Sequence, residues 1–436
     1  MRTAGNQEPG KMSGSRVIFY YDVVCPFAYM ASRLVEAMAQ RTGADVVWRP
    51  VLLGGMYDLI KAPQGKSGSA THTMSPAKLK MQAEDLRRQL ARRGVPYRDP
   101  THFPQKTVYA MRILAGVKDQ RTRIALSHDL YRAHFCEDRN LGDPSCLREI
   151  ASGHGVDVEA LVQSTAASQQ LRHNTTEVVE RGGFGVPSFY VNGRLFWGTD
   201  RMFFVERALG MRGVAPERLT TPPSSGGAAK LSFYFDYSSP WAYVGFMRLG
   251  SLVESVAPVQ VNIEYVSILL GALFKETGTP SVPLTTMSTQ KQTYYQQDME
   301  DWCDFAGVDL NFPDVFPIRS VLPLRATLAS QCDPAIIQTL YLAAWRDNKN
   351  IGDSDVCHRV LQEAGFDADR LLCDASSEPV KKQLFANTSR AVSDGVCGTP
   401  SYQVNNRNMV IWGQDKQSTV EDLLCGWSDI STAAKL

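Results

Sequence analysis

Two places in the chain put a nucleophile-type side chain directly before a proline: Cys25-Pro26 and Ser239-Pro240. Each follows an apolar, β-branched and aromatic run that ends in an aspartate, Val17 to Asp22 and Leu231 to Asp236, and each precedes a helical stretch. The reading is a strand that turns into a helix, with proline in the first helical turn, where its missing N–H costs nothing. Free amides and the positive end of the helix dipole meet at such a turn and stabilise an anion. A cysteine placed there is expected to have a lowered pKa and to act as a nucleophile, against the plainer alternative of a buried strand-end cysteine. A serine does not ionise; it can donate a hydrogen bond to the thiolate of a bound thiol cofactor. Ala28 and Ala242 stand where a dithiol enzyme needs its resolving cysteine, which argues against disulfide oxidation or isomerisation.

Other residues could complete such a site. Pro187 and Pro400 each follow a small glycine-containing turn and open a strand; a cis bond before either leaves backbone groups for an extended peptide-like ligand, and their twofold occurrence favours cis. Thr199-Asp200 and Gln414-Asp415 precede the last helix of each half, where they can cap it or bind an ammonium group. Lys275 and Arg201 are candidates for a ligand carboxylate. Gly65-Lys66-Ser67 lacks the upstream glycine of a phosphate loop, since position 60 is Ile. Only His358 among the histidines lies in the second half, so a metal site or Ser-His-Asp triad shared by both halves does not fit, and no metal is expected. Asn174-Thr175-Thr176 and Asn387-Thr388-Ser389 match a glycosylation pattern, to which no role is given without a secretory signal.

The elements that must position these residues occur twice. Cys25 and Ser239 lie 214 residues apart; Phe103-Pro104 and Phe316-Pro317, Val186-Pro187-Ser188 and Thr399-Pro400-Ser401, and Trp197-Gly198-Thr199-Asp200 and Trp412-Gly413-Gln414-Asp415 keep that offset to within a residue or so. The spacing predicts two copies, 15–213 and 231–428, joined by a Pro/Ser/Gly-rich linker at 214–230, with tails outside them. Each copy reads as strand (17–21; 231–235), helix (26–41; 240–256), strand (45–51; 259–266), then about a hundred residues of helical pattern, including 77–93 and 121–134 in the first copy. A hairpin at Asn192-Gly193 or Asn405-Asn406 and a final helix close it. The expected fold is α/β: two tandem thioredoxin-like domains, each with an inserted helical subdomain. The net charge of +1 carries no nucleic-acid footprint, and no apolar run approaches a membrane span. Nine cysteines, an odd number with no C-x-x-C pair, argue against a disulfide framework or zinc ribbon and for a reducing compartment.

Taken together, Phe19 to Tyr29, Arg49 to Gly55, Phe184-Gly185-Val186-Pro187, Phe196 to Met202 and, in the second copy, Leu269 to Gly278 resemble the kappa-class glutathione transferases and the related 2-hydroxychromene-2-carboxylate isomerases, DsbA-like thioredoxin folds. The resemblance covers nearly the whole chain, twice. It implies glutathione as cofactor and a small electrophile as second substrate. It also implies that Ser239 stabilises the glutathione thiolate, with Cys25 at the matching position. Val186-Pro187 and Thr399-Pro400 would pair with the cysteinyl part of glutathione, and Thr199-Asp200 and Gln414-Asp415 with its γ-glutamyl end. A glutathione-contacting asparagine of the family is not kept: the alignment reaches about Ala62 and Thr279. The two copies are expected to pack as an intramolecular pseudo-dimer. A monothiol oxidoreductase run by Cys25 and a non-catalytic duplicated binding module are the alternatives. The C-terminal Ala434-Lys435-Leu436 resembles a peroxisomal address and directs the expectation to that organelle, otherwise to cytoplasm or mitochondrion.

Overall fold

The run ahead of Cys25 forms β1 (Arg16–Tyr21), with five of its six residues buried. It pairs in parallel with β2 (Asp45–Pro50), Phe19 opposite Trp48. On its other side lies β3 (Ser188–Val191), antiparallel, Phe19 opposite Phe189, and β4 (Arg194–Trp197) closes the hairpin at Asn192-Gly193. The parallel pair needs a crossover, supplied by the helix Pro26–Thr42, which ends at the left-handed Gly43. The second sheet repeats this order: β5 (Gly227–Phe235), β6 (Val259–Ser267), β7 (Ser401–Val404) and β8 (Ile411–Trp412), with β5 between β6 and β7. These statements come from a computed structural model that describes residues 15–65, 68–406 and 409–428; the Ala434-Lys435-Leu436 expectation and the predicted outer tails, bar Ser428, lie outside those residues.

Between β2 and β3, and again between β6 and β7, the chain runs through helices whose starts are written locally. Asp119, Asp143, Asp157 and Ser164 each accept a main-chain N–H as N-cap in the first insertion, and Asp333, Asp353 and Asp367 do so in the second. The predicted helix 121–134 is Gln120–Phe135. The predicted helix 240–256 is two, Pro240–Met247 and Leu249–Ser255, parted at Arg248. The Arg248 guanidinium lies over the rings of Trp302 and Phe305, 5.0 and 5.1 Å from their centroids, and donates to the Gln414 carbonyl at 2.9 Å. Among the described residues no helix is long and apolar enough to cross a membrane.

The described residues form two compact units that do not follow the chain completely. One holds residues within Met1–Thr73, Leu86–Pro216 and Ser288–Tyr294; the other holds Met74–Asp85, Glu217–Met287 and residues within Tyr295–Leu436. The helix Pro76–Arg92, read from sequence as part of the first insertion, therefore begins in the second unit. The stretch read as a linker is also partly structured. β5 starts at Gly227, four residues before the predicted strand, and pairs from there with Val259. Leu219 N and Thr220 N donate to the buried Asp422 carboxylate at 2.9 and 2.7 Å, and Arg218 donates to Ser255 O.

Candidate functional site

In the second unit the turn after β5 is set by Asp236, which is fully buried. One carboxylate oxygen accepts Ser238 N at 2.9 Å and Ser238 Oγ at 3.0 Å; the other accepts Leu270 N at 2.7 Å, and the Ser320 side chain also bonds to the carboxylate. Its carbonyl takes Ser239 N at 3.1 Å. One carboxylate thus fixes the turn that carries Ser239, the Leu269-Leu270 segment and the entry to a helix of the insertion. In the first unit Asp22 does the same through Val24 N (3.1 Å), Leu53 N (2.9 Å) and Thr107 Oγ1 (2.9 Å), and its carbonyl takes Cys25 N (3.1 Å). Burial pushes the Asp22 carboxyl up to about 6, against the pull of those donors, and raises Asp236 likewise.

Ser239 is the N-cap of Pro240–Met247. Its Oγ accepts Ala242 N at 3.2 Å and donates to Thr399 O at 3.0 Å. Thr399 precedes Pro400 through a cis bond, and the Thr399 Oγ1 atom is buried without a hydrogen-bond partner. Beyond the hairpin, Gly413 N donates to Pro400 O at 3.0 Å, and Gly413 stands at φ 112°, a conformation that favours glycine. Gln414 and Asp415 follow directly. Cys25 occupies the matching place in the first unit. It is the N-cap of Pro26–Thr42, its Sγ donates to Val186 O at 3.2 Å, and the Val186–Pro187 bond is cis. Both proline bonds are cis, as the repeated sequence led us to expect. Gly198, at φ 101°, donates to Pro187 O at 3.0 Å; Thr199 Oγ1 donates to Phe27 O at 3.1 Å, and Asp200 pairs with Arg201 at 3.1 Å.

The ionisation of Cys25 differs from the sequence expectation. Its thiol is pushed up to about 12: burial outweighs the main-chain N–H groups of Ala28 and Phe27, and the Asp22 charge adds to the rise. The helix terminus is present, but desolvation of the sulfur dominates, so the thiol is protonated at neutral pH and serves as a hydrogen-bond donor. Tyr57 is buried within electrostatic reach of Cys25, its hydroxyl bonded to Gln64; Phe274 follows the corresponding Leu-Leu-Gly segment in the second unit.

Of the two carboxylate-binding candidates, Lys275 is exposed near the end of its helix, and Arg201 is engaged with Asp200. A cation that sequence reading did not single out, Lys78, lies against Trp412 in the second unit. Its ammonium lies 5.3 Å from the centroid of the Trp412 ring, and burial lowers its pKa below the ordinary lysine value, offset in part by Cys397. Gly398 admits that indole: a Cβ there would stand 2.7 Å from Trp412 Nε1. In the first unit Lys291 lies 5.9 and 5.6 Å from the Phe184 and Trp197 ring centroids. Sequence reading also missed the pairs it set aside as glycosylation patterns. Asn174 Nδ2 donates to Pro50 O at 2.9 Å and Thr175 Oγ1 accepts Leu52 N at 3.0 Å; Asn387 and Thr388 repeat this on Ser267 O (3.2 Å) and Leu269 N (3.0 Å). Their signal was the repeat itself, two Asn-Thr pairs 213 residues apart.

Comparison with known proteins finds one domain type twice along the chain. The sequence profile of the DsbA-like thioredoxin domain matches residues 16–210 and 230–425. A 2-hydroxychromene-2-carboxylate isomerase from Sphingobium xenophagum is 30% identical over 194 residues, 44% of this chain and 96% of that protein. One from Pseudomonas putida is 25% identical over 197 residues, with 44% and 94% covered. Glutathione S-transferase kappa 2 of Caenorhabditis elegans is 24% identical over 211 residues, with 44% and 91% covered. A solved 2-hydroxychromene-2-carboxylate isomerase structure superposes with a TM-score of 0.40 at 24% identity, covering 45% of this chain and 94% of that one. The chain belongs to the DsbA-like thioredoxin-domain family, as a tandem duplication whose relatives include 2-hydroxychromene-2-carboxylate isomerases and kappa-class glutathione transferases.

Proposed function

We propose that the second unit is a glutathione-dependent transferase or isomerase site centred on Ser239. The observation that carries this reading is the Ser239 hydroxyl, held at a helix N-terminus 3.0 Å from the carbonyl before cis-Pro400, beside a Thr399 hydroxyl that is buried without a partner. Glutathione fits this set, which offers a hydrogen-bond donor for a thiolate, the Thr399 main chain ahead of Pro400, a carboxylate in Asp415 and a cation in Lys78. When bound it supplies a thiolate that adds to an electrophilic carbon and, in isomerase chemistry, leaves again after a bond rotation.

The chain's own part is positional and electrostatic. Ser239 keeps its proton at neutral pH. It turns that proton from Thr399 O toward the ligand sulfur, while Ala242 N–H and the helix terminus polarise the hydroxyl. The released Thr399 carbonyl accepts an amide of the ligand, and Thr399 Oγ1 gains a partner. Asp415 faces the ammonium end of the ligand and Lys78 a carboxylate. The first unit offers Val186 in place of Thr399 and a protonated thiol in place of the hydroxyl, so a Cys25-driven oxidoreductase lacks the accessible thiolate it needs.

The test is conjugation of glutathione to 1-chloro-2,4-dinitrobenzene alongside turnover of 2-hydroxychromene-2-carboxylate. Ser239→Ala is expected to lower whichever activity the protein has by about tenfold or more, the cost of a hydrogen bond to a charged sulfur. Cys25→Ala is expected to leave it largely intact. The reading fails if Ser239→Ala is silent and Cys25→Ala abolishes activity. A protein inactive with both substrates and not retained on glutathione-agarose also overturns the reading.

A further inference from the structure

We propose that each cis-proline loop depends on a segment encoded in the opposite repeat, so that neither repeat by itself contains a complete site. The first-repeat residues 74–85 are part of the second unit, and the second-repeat residues 288–294 are part of the first. Both segments are packed, not merely adjacent. Met81 is 4% exposed and sits in one apolar cluster with Tyr234, Ile268, Leu273, Val396 and Cys397, with Ala77 and Trp412 against it. Cys397 is two residues before Thr399. Lys78 lies over the Trp412 ring, Ser75 Oγ is 3.4 Å from Thr279 Oγ1, and Asp85 pairs with Lys416 at 3.3 Å, immediately after Asp415.

The first unit is served in the mirror sense. Tyr294 Oη accepts Trp197 N at 2.9 Å and donates to Trp197 O at 3.3 Å, and its ring packs on Phe184 and Trp197 at centroid distances of 5.4 and 6.3 Å. Phe184 and Trp197 flank Gly185-Val186-Pro187 on one side and Gly198-Thr199-Asp200 on the other. Lys78 and Lys291, and Met81 and Tyr294, are each 213 residues apart, the offset of the duplication. The exchange is therefore written in both repeats at the same place. A buried methionine and a tyrosine with two hydrogen bonds leave apolar surface and open main-chain groups behind when removed, and those groups belong to the loops that carry the candidate ligand contacts.

Hydrogen exchange measured by mass spectrometry on the full chain tests this without reference to any activity. Met81→Ala, a first-repeat substitution, is expected to speed exchange in residues 396–404 and 410–416 by about tenfold or more, with 184–200 unchanged. Tyr294→Phe, in the second repeat, is expected to loosen 184–200 and spare the second-unit loops. Lys78→Met is a milder companion for the case that Met81→Ala does not fold. Loosening of the cis-proline loop of the substituted residue's own repeat, equal loosening of both loops, or of neither, overturns the proposal. A catalytic arm rests on the reading of Ser239 as a glutathione site: Met81→Ala lowers Ser239-dependent turnover and Tyr294→Phe does not. If exchange follows the crossed pattern while turnover is absent in the parent protein, that reading has failed and the crossed dependence stands.

Discussion

Cys25 and Ser239 stand on the same scaffold and differ by the chemistry of one atom. Each is the N-cap of a helix begun by proline, each donates its main-chain N–H to the carbonyl of an aspartate three residues earlier, and each side chain donates to the carbonyl before a cis proline. The scaffold alone does not ionise the cysteine. A helix terminus stabilises an anion by a few tenths to about 2 kcal/mol, whereas sealing the sulfur from water works in the other direction and wins. The same closure suits a serine, which has no charge to lose. The difference teaches that the first site is read by its burial and the second by its hydrogen bonds.

The comparison breaks most severely at the aspartates. Asp236→Ala strands the buried Leu270 N and the half-buried Ser238 N and is expected to cost about 3–5 kcal/mol in denaturant unfolding, with loss of Ser239-dependent activity. Asp22→Ala, of like cost, is expected to spare more of that activity. A cost below about 1 kcal/mol for Asp236→Ala would show that the turn holds without its carboxylate.

Protonation of Asp22 is expected to appear as a pH dependence of similar size. Its folded pKa, about 6, lies above the ordinary carboxylate value of 3.8. Its contribution to stability is therefore complete below about 3.8 and is lost as pH rises through about 6, by about 3 kcal/mol in total. Asp22→Asn lacks this term. The stability of the variant relative to the parent should improve by that order between pH 4 and pH 7, whatever its fixed cost, and a constant gap in urea midpoints would count against it.

Alkylation probes Cys25 directly. At pH 8 a pKa near 12 leaves roughly a thousandfold fewer thiolates than an ordinary cysteine, partly offset by the greater nucleophilicity of a basic thiolate, so Cys25 should react about 30–100-fold more slowly than a model thiol. Peptide mapping that finds Cys25 modified first would restore it as a nucleophile. The smallest expected effect is that of exchange between the sites. Ser239→Cys replaces the hydroxyl with a weaker donor and should lower turnover by about tenfold, while Cys25→Ser leaves it unchanged.

The strand-to-helix turns at Cys25 and Ser239, the cis prolines and the helix caps were legible because each is local chemistry: a residue type, its neighbours and a repeat that shows it twice. The protonation of Cys25 was not, because its burial depends on packing against residues distant in sequence, as its bond to Val186 O shows. Asp22 and Asp236 were visible as repeated residues, but their role appears only when Leu53, Thr107, Leu270 and Ser320 converge on them. The amphipathic pattern of 77–93 specifies a helix equally well whichever unit receives it, so the crossing of 74–85 left no local trace. Asn174-Thr175 and Asn387-Thr388 were misfiled because their pattern has a commoner meaning.

The anchoring of residues 218–220 relocates the joint of the molecule. Leu219 and Thr220 grip Asp422, and β5 begins at Gly227, so the stretch from Thr221 to Gly226, the most linker-like in composition, is a loop inside the second unit. The change of unit falls upstream, between Pro216 and Glu217. A protease that nicks Ser224-Ser225 would thus cut a surface loop and leave a short strap behind on Asp422. The nicked protein is expected to run at the mass of the whole chain on a native column and to part into two pieces only in denaturant, as a buckle does when it is unfastened, not when its free end is trimmed.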